Sequence, residues 1–101
     1  DAAANAAGGT QLYLMRVDGG EARKITEARD GVSTWEFSKD GAWLVYRSGA
    51  ANAEQLYAIA MADLRARPDS LTPVQLTRHP TGIGAWSLSA DAKRIHFTSP
   101  D

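Results

Sequence analysis

Trp35-Glu-Phe-Ser38-Lys-Asp40-Gly41-Ala-Trp-Leu44-Val-Tyr46-Arg-Ser48 recurs 51 residues later as Trp86-Ser-Leu-Ser89-Ala-Asp91-Ala92-Lys-Arg-Ile95-His-Phe97-Thr-Ser99. Each copy is a pair of short apolar runs hinged on a Ser-x-Asp turn. Serine and aspartate side chains bond the amides of their own turn, and glycine takes backbone angles that other residues avoid, so each copy reads as a β-hairpin. Two shorter matches frame these hairpins. Gln11-Leu-Tyr13 returns after 44 residues as Gln55-Leu-Tyr57, and Ile25-Thr26 returns after 51 residues as Leu76-Thr77. A period of this length, built from short strands, marks repeated β units that are too small to bury their own faces and therefore stack on one another.

Outward from the first hairpin, 11–17 and 21–26 read as strands joined by Asp18-Gly-Gly20, the signal of a tight type I′ turn. Residues 27–31 are a polar loop, and 49–54 are another. The strand 55–61 leads into a long polar stretch, 62–72, with room for a one-turn helix at 62–66. The run 73–77 is a further strand, and 83–88 with 93–99 form the last hairpin. The sum is eight strands and an all-β chain. In Ala42-Trp-Leu-Val-Tyr46 and Leu56-Tyr-Ala-Ile-Ala-Met61 the apolar residues are nearly continuous, which implies cover on both faces of those strands. A two-sheet sandwich leaves one face of each strand wet, whereas a propeller blade is packed on both sides. The expectation is therefore about two four-stranded antiparallel blades of a β-propeller, a partial propeller. Residues 11–26 would be the outer strands of one blade, 32–77 a complete blade, and 83–99 the inner strands of the next. Residues 1–10, small and polar, read as a flexible linker or a cut end.

Trp35 and Trp86 hold equivalent strand positions and are expected, with Trp43, in the packing between blades and not in an aromatic ligand platform. Ser38, Asp40, Gly41, Ser89 and Asp91 are expected to hold their turns; Asp40 and Asp91 sit in different blades and do not read as a catalytic pair. Ala92 stands where the first hairpin has Gly41, and Leu88 where it has Phe37. Both departures leave the geometry of the second turn open.

Eleven Lys and Arg against twelve Asp and Glu give a net charge of −1 with no basic block. Neither a nucleic acid nor a membrane surface is expected as a partner. No apolar stretch approaches the roughly 18 residues that span a bilayer, and the first residues lack the basic and apolar regions of a signal peptide. Without cysteine there is no disulfide and no thiolate metal site. His79 and His96 lie 17 residues apart with no carboxylate at a familiar ligand spacing, so no metal or other cofactor is expected. Gly31-Val-Ser33-Thr-Trp35 lacks the last glycine of a nucleophile elbow, and Gly82-Ile-Gly84 lacks the third glycine and the helix of a nucleotide loop. No catalytic residue is assigned. Arg29, Glu54 and Arg78 are loop charges placed to meet the ends of a bound peptide.

The strand order, the Ser-x-Asp-Gly turn, the Asp-Gly-Gly turn and the Leu-Thr strand ending together resemble the WD-like propeller repeat of TolB proteins and prolyl oligopeptidase-type serine peptidases. The resemblance covers 11–99. The segment Gln75-Leu-Thr-Arg-His-Pro-Thr-Gly-Ile-Gly84 before Trp86, and the ending Arg94-Ile-His-Phe-Thr-Ser-Pro-Asp101, are similar to propellers of dipeptidyl-aminopeptidase-like enzymes. This implies a non-catalytic propeller segment whose parent hydrolyses peptides. The remaining blades and an α/β-hydrolase domain supplying Ser, Asp and His would be its partners, with the propeller gating or positioning the peptide substrate. A periplasmic or secreted bacterial location goes with that family. Two alternatives stay open, a TolB-like periplasmic protein-interaction propeller and the sensor propeller of a signalling protein. Two blades alone leave an apolar face at each end. At about 500 Å² per face the missing burial is roughly 12 kcal/mol, as large as the whole stability of a domain, so the isolated segment is expected to self-associate.

Overall fold

Three antiparallel sheets divide the strands of this computed structural model, which describes residues 10–15, 18–19, 22–67, 71–91 and 93–99. The first sheet pairs β1 (Tyr13–Leu14) with β2 (Arg23–Lys24). The second is a four-stranded meander of β3 (Val32–Phe37), β4 (Trp43–Ser48), β5 (Gln55–Ala60) and β6 (Val74–Gln75), in that order. The third pairs β7 (Trp86–Leu88) with β8 (Ile95–Phe97). A six-residue helix, α1 (Met61–Ala66), bridges β5 and β6. Among the described residues the fold is all-β apart from that turn of helix.

The register of the meander sorts its side chains. Trp35 stands opposite Tyr46 and Phe37 opposite Leu44; Leu44 in turn meets Ile59, and Tyr46 meets Tyr57. Because successive side chains of a strand point to opposite faces, these residues share one side of the sheet, and Glu36, Val45 and Ala58 share the other. On the first side Leu44, Tyr46 and Ile59 form one apolar cluster with Leu12 and Ile25 of the β1–β2 unit and with Leu64 of α1. On the second side Trp43, Val45, Ala58 and Leu76 face Leu88 and Ile95 of the β7–β8 unit across a cavity. The middle sheet is thus covered from both sides. Leu44, Val45 and Tyr46 are consecutive yet only 0%, 3% and 3% exposed, as a strand must be when each of its faces meets another sheet.

Several elements differ from their sequence reading. Among the described residues the ladders of β1 and β2 are two residues each, not six or seven, and at the Leu12 end the Thr26 hydroxyl takes the Leu12 amide in place of the next backbone bond. The other short strand, β6, ends the same way at Thr77, whose hydroxyl takes the Leu56 amide. The turn expected at 18–20 falls partly outside the described residues; Gly19 has a positive φ of 116°. The helix expected at 62–66 forms and begins one residue earlier, with buried Leu64 anchoring it and Arg67 paired to Asp63 at 2.6 Å. The linker 1–10 lies outside the described residues except for Thr10, whose carbonyl accepts the Val32 amide.

Candidate functional site: the repeated clasps and the grooves between sheets

Three side-chain bonds of the first turn recur in the second. In the first hairpin the Ser38 hydroxyl donates to Asp40 Oδ1 at 2.5 Å, Asp40 Oδ1 accepts the Ala42 amide at 3.0 Å, and Ser38 Oγ accepts the Trp43 amide at 3.0 Å. In the second, Ser89 donates to Asp91 at 2.6 Å, Asp91 accepts the Lys93 amide at 3.1 Å, and Ser89 Oγ accepts the Arg94 amide at 3.1 Å. These bonds favour the charged carboxylate and hold both aspartates below the usual carboxylate value, the serine hydroxyl being the larger cause and the amide at the turn's end the next. Gly41 carries the turn with a positive φ of 75°. Ala92 lies outside the described residues, but the caps on either side of it are the same as in the first turn.

A second repeated device joins the outer strands. Gln11 Oε1 accepts the Thr26 hydroxyl at 2.6 Å and the Ala28 amide at 3.0 Å, while Gln11 Nε2 donates to the Ala28 carbonyl at 2.6 Å. Gln55 does the same with Thr77 at 2.6 Å, the His79 amide at 2.9 Å and the His79 carbonyl at 2.7 Å. Each glutamine thus reads both backbone groups of the residue two beyond its threonine. The recurrence of Gln-Leu-Tyr and of an aliphatic-Thr pair is the sequence signal of this clasp; sequence reasoning saw the recurrence but not the clasp.

The three charges singled out for peptide ends are not gathered at one place. Arg29 is exposed and lines a groove of about 510 Å³ between the first unit and the middle sheet, with Lys24, Glu27 and Asp30 on its rim. Its floor is the Tyr46–Tyr57 pair, stacked with centroids 5.5 Å apart. Burial, helped by Tyr57, pushes the Tyr46 phenol up to about 12. Glu54 instead faces Arg47, with Nε and Oε2 3.6 Å apart. Arg78 is exposed on the loop after β6.

Arg47, which sequence reasoning passed over, is the polar tie between sheets. Its Nη1 donates to the carbonyls of Ile83 at 3.1 Å and Gly84 at 2.5 Å, and its Nε donates to Ser33 Oγ at 2.9 Å. Nearby, Trp86 Nε1 donates to Thr34 Oγ1 at 2.7 Å and the Leu88 amide donates to Glu36 Oε1 at 3.2 Å. Gly82 is required at this junction: its φ is +79°, and a Cβ there would lie 2.9 Å from the Glu54 amide nitrogen.

Two of the tryptophans expected in the packing stand differently. Trp86 is half-buried against β3, whereas Trp35 is 52% and Trp43 41% exposed. The reason for Trp35 is topological. It sits on β3, the edge of the meander, where Val32 at the start of the strand joins the cluster of Leu12 and Ile25 while Trp35, further along, stays outside it. Trp35 and Phe37 border a shallow groove against Tyr13 and Leu14 instead.

Compared with known proteins, the chain matches no family model and no curated relative.

Proposed function

We propose that this chain is a non-catalytic propeller segment of a serine peptidase of the prolyl oligopeptidase type, its parent hydrolysing peptides and the propeller gating or positioning them. The observation that supports this most is the three-layer stack in which equivalent hairpins, equivalent caps and equivalent clasps repeat along the stacking direction. A stack of that kind is a scaffold whose loops and grooves recognise, while the chemistry is supplied elsewhere.

Ser33, Ser48 and Ser99 fit structural duties. Ser33 Oγ accepts from Arg47 Nε and donates to the Arg47 carbonyl, so it is committed on both sides. Ser99 Oγ lies 3.0 Å from His79 Nδ1, an approach that resembles a nucleophile and its base. Yet Ser99 donates to the Gly82 carbonyl at 2.8 Å, and Ser48 at the equivalent position donates to the Gly31 carbonyl with alanine, Ala28, where the second copy has His79. Ser99 thus repeats a loop-closing bond. The groove beside Arg29 carries both signs of charge over an aromatic floor, which suits an extended peptide with its backbone dipoles and ends.

The test is on the gene product carrying this chain, assayed with chromogenic dipeptidyl and prolyl-peptide substrates and labelled with a serine-directed phosphonate. Hydrolysis with labelling at a serine outside these 101 residues is expected, and Arg29→Ala should raise KM several-fold with kcat kept. Absence of both hydrolysis and labelling would refute the proposal.

A further inference from the structure

The groove beside Arg29 holds a polar group that the fold leaves unused. Tyr46 is 3% exposed, and its hydroxyl makes no hydrogen bond among the described residues. No side-chain nitrogen or oxygen among them is both dry and without a partner, so the Tyr46 oxygen opens into the cavity of about 510 Å³ that this residue lines. Burial holds that phenol in its protonated form, which keeps it a hydrogen-bond donor. Tyr57, stacked on it, lines the same cavity, and its hydroxyl is equally unengaged among the described residues. The walls come from the end of β2 and the turn after it, from β4 and β5, and from Leu71 and Pro73 ahead of β6, so neither terminus bounds the cavity.

The repeat separates what the scaffold needs from what this groove adds. Residues 28–31 and 79–82 are equivalent turns at an offset of 51, each closed by a bond of 3.1 Å from the last amide to the first carbonyl, with a positive φ at Gly31 and at Gly82. The first turn carries Arg29-Asp30 at its tip, and the second carries Pro80-Thr81. Tyr46 corresponds in the same way to Phe97, which has the ring without the hydroxyl. These departures of the first copy gather at one cavity, a guanidinium, a carboxylate and a phenol around an aromatic floor. On its rim Lys24 and Glu27 pair with each other at 3.7 Å, whereas Arg29 and Asp30 make no ion pair among the described residues.

We infer that this cavity binds the C-terminal residue of a peptide, and an aromatic one in preference to a small one. Its carboxylate takes the Arg29 guanidinium and the hydroxyls of Tyr46 and Tyr57, and its N–H donates to Asp30. Its ring lies over the tyrosine pair, walled by Ile25, Ala28, Leu71 and Pro73. The amino end of a peptide fits less well, because an ammonium meets the charge of Arg29 and offers the two phenol protons no acceptor. The inference rests on the reading of this groove as a peptide site, and adds which end is held and by which groups.

The experiment uses the gene product carrying this chain, treated with the serine-directed phosphonate to stop any turnover, and reads binding by calorimetry. N-acetyl-Gly-Phe as the free acid should bind about ten-fold tighter than its amide, and about three-fold tighter than N-acetyl-Gly-Ala or than hydrocinnamate, which has ring and carboxylate but no peptide N–H. Arg29→Ala should abolish the preference for acid over amide, and Asp30→Ala should bring the peptide down to hydrocinnamate. Tyr46→Phe should weaken the free acid about three-fold without lowering the melting temperature of the unliganded protein, since no internal bond is lost. Equal binding of acid and amide overturns the inference, as does tighter binding of Phe-Gly amide with its free amine. A Tyr46→Phe variant that binds like the wild type, or that melts lower, overturns it too. Binding is read without turnover, so a protein that shows this selectivity but neither hydrolyses nor takes the label refutes the peptidase proposal alone, and one that hydrolyses without the selectivity refutes this inference alone.

Discussion

Thr26 is 1% exposed and its hydroxyl serves two groups at once, accepting the Leu12 amide and donating to Gln11 Oε1. Thr26→Val keeps the shape and removes both bonds, leaving the buried Leu12 amide without its acceptor, while Gln11 Oε1 keeps the Ala28 amide. A loss of about 1 to 3 kcal/mol is expected, because the desolvation of the Leu12 amide is no longer offset. Thr26→Ser keeps the hydroxyl and should lose much less. Thr77 makes the equivalent bonds at 3.0 and 2.6 Å but is only half-buried, so water replaces part of what Thr77→Val removes. Urea unfolding of the three variants should rank them Thr26→Val, Thr77→Val, Thr26→Ser in falling order of cost. Equal losses for the two valine variants would mean that the two clasps are equally dry.

At the scale of the element, the Ser-x-Asp turns carry a pH dependence. Their aspartates have folded values below the ordinary 3.8, lowered first by Ser38 and Ser89 and then by the amides of Ala42 and Lys93. A depressed folded value contributes stability that is fully present above the unfolded value and is lost as pH falls through the folded one. The double variant Asp40→Asn with Asp91→Asn should therefore melt lower than the wild type at pH 7 and show a flatter decline between about pH 5 and pH 2. Curves that stay parallel over that range would show that other carboxylates set the acid limb. These turns were the most legible part of the sequence, since each is encoded within five residues and needs nothing distant. The continuous apolar run of Leu44, Val45 and Tyr46 likewise announced a strand dry on both faces. Less legible were the ends of β1, β2 and β6, because at one end of each ladder a threonine hydroxyl, and not the strand propensity of its neighbours, takes the place of the next backbone bond. The exposure of Trp35 was illegible for another reason: equivalence with Trp86 specifies a strand position, while burial depends on which sheet reaches over that edge. Arg29, Glu54 and Arg78 read as loop charges, and a loop's direction follows from tertiary contacts such as the pull of Arg47 on Glu54.

At the scale of the whole molecule, the three sheets are held by unequal means. The β1–β2 unit shares the apolar cluster of Leu12, Ile25, Leu44 and Ile59, so its docking is a matter of buried carbon. The β7–β8 unit meets the meander across cavities and is joined to it by polar ties from Arg47, Thr34 and Glu36. Arg47 contributes two of these, because one guanidinium holds the carbonyls of Ile83 and Gly84, and its charge strengthens each bond. Arg47→Met retains the aliphatic stem and the strand position but leaves those carbonyls to water. A cost of about 1.5 to 3 kcal/mol is expected, and it should fall unevenly. Amides of β7 and β8 should exchange with solvent faster in the variant, since the terminal unit opens without unfolding the rest, while Leu44 to Tyr46 keep their wild-type protection. Uniform acceleration across all three sheets would show that the stack unfolds as one body, with the tie distributed through it and not concentrated at this arginine.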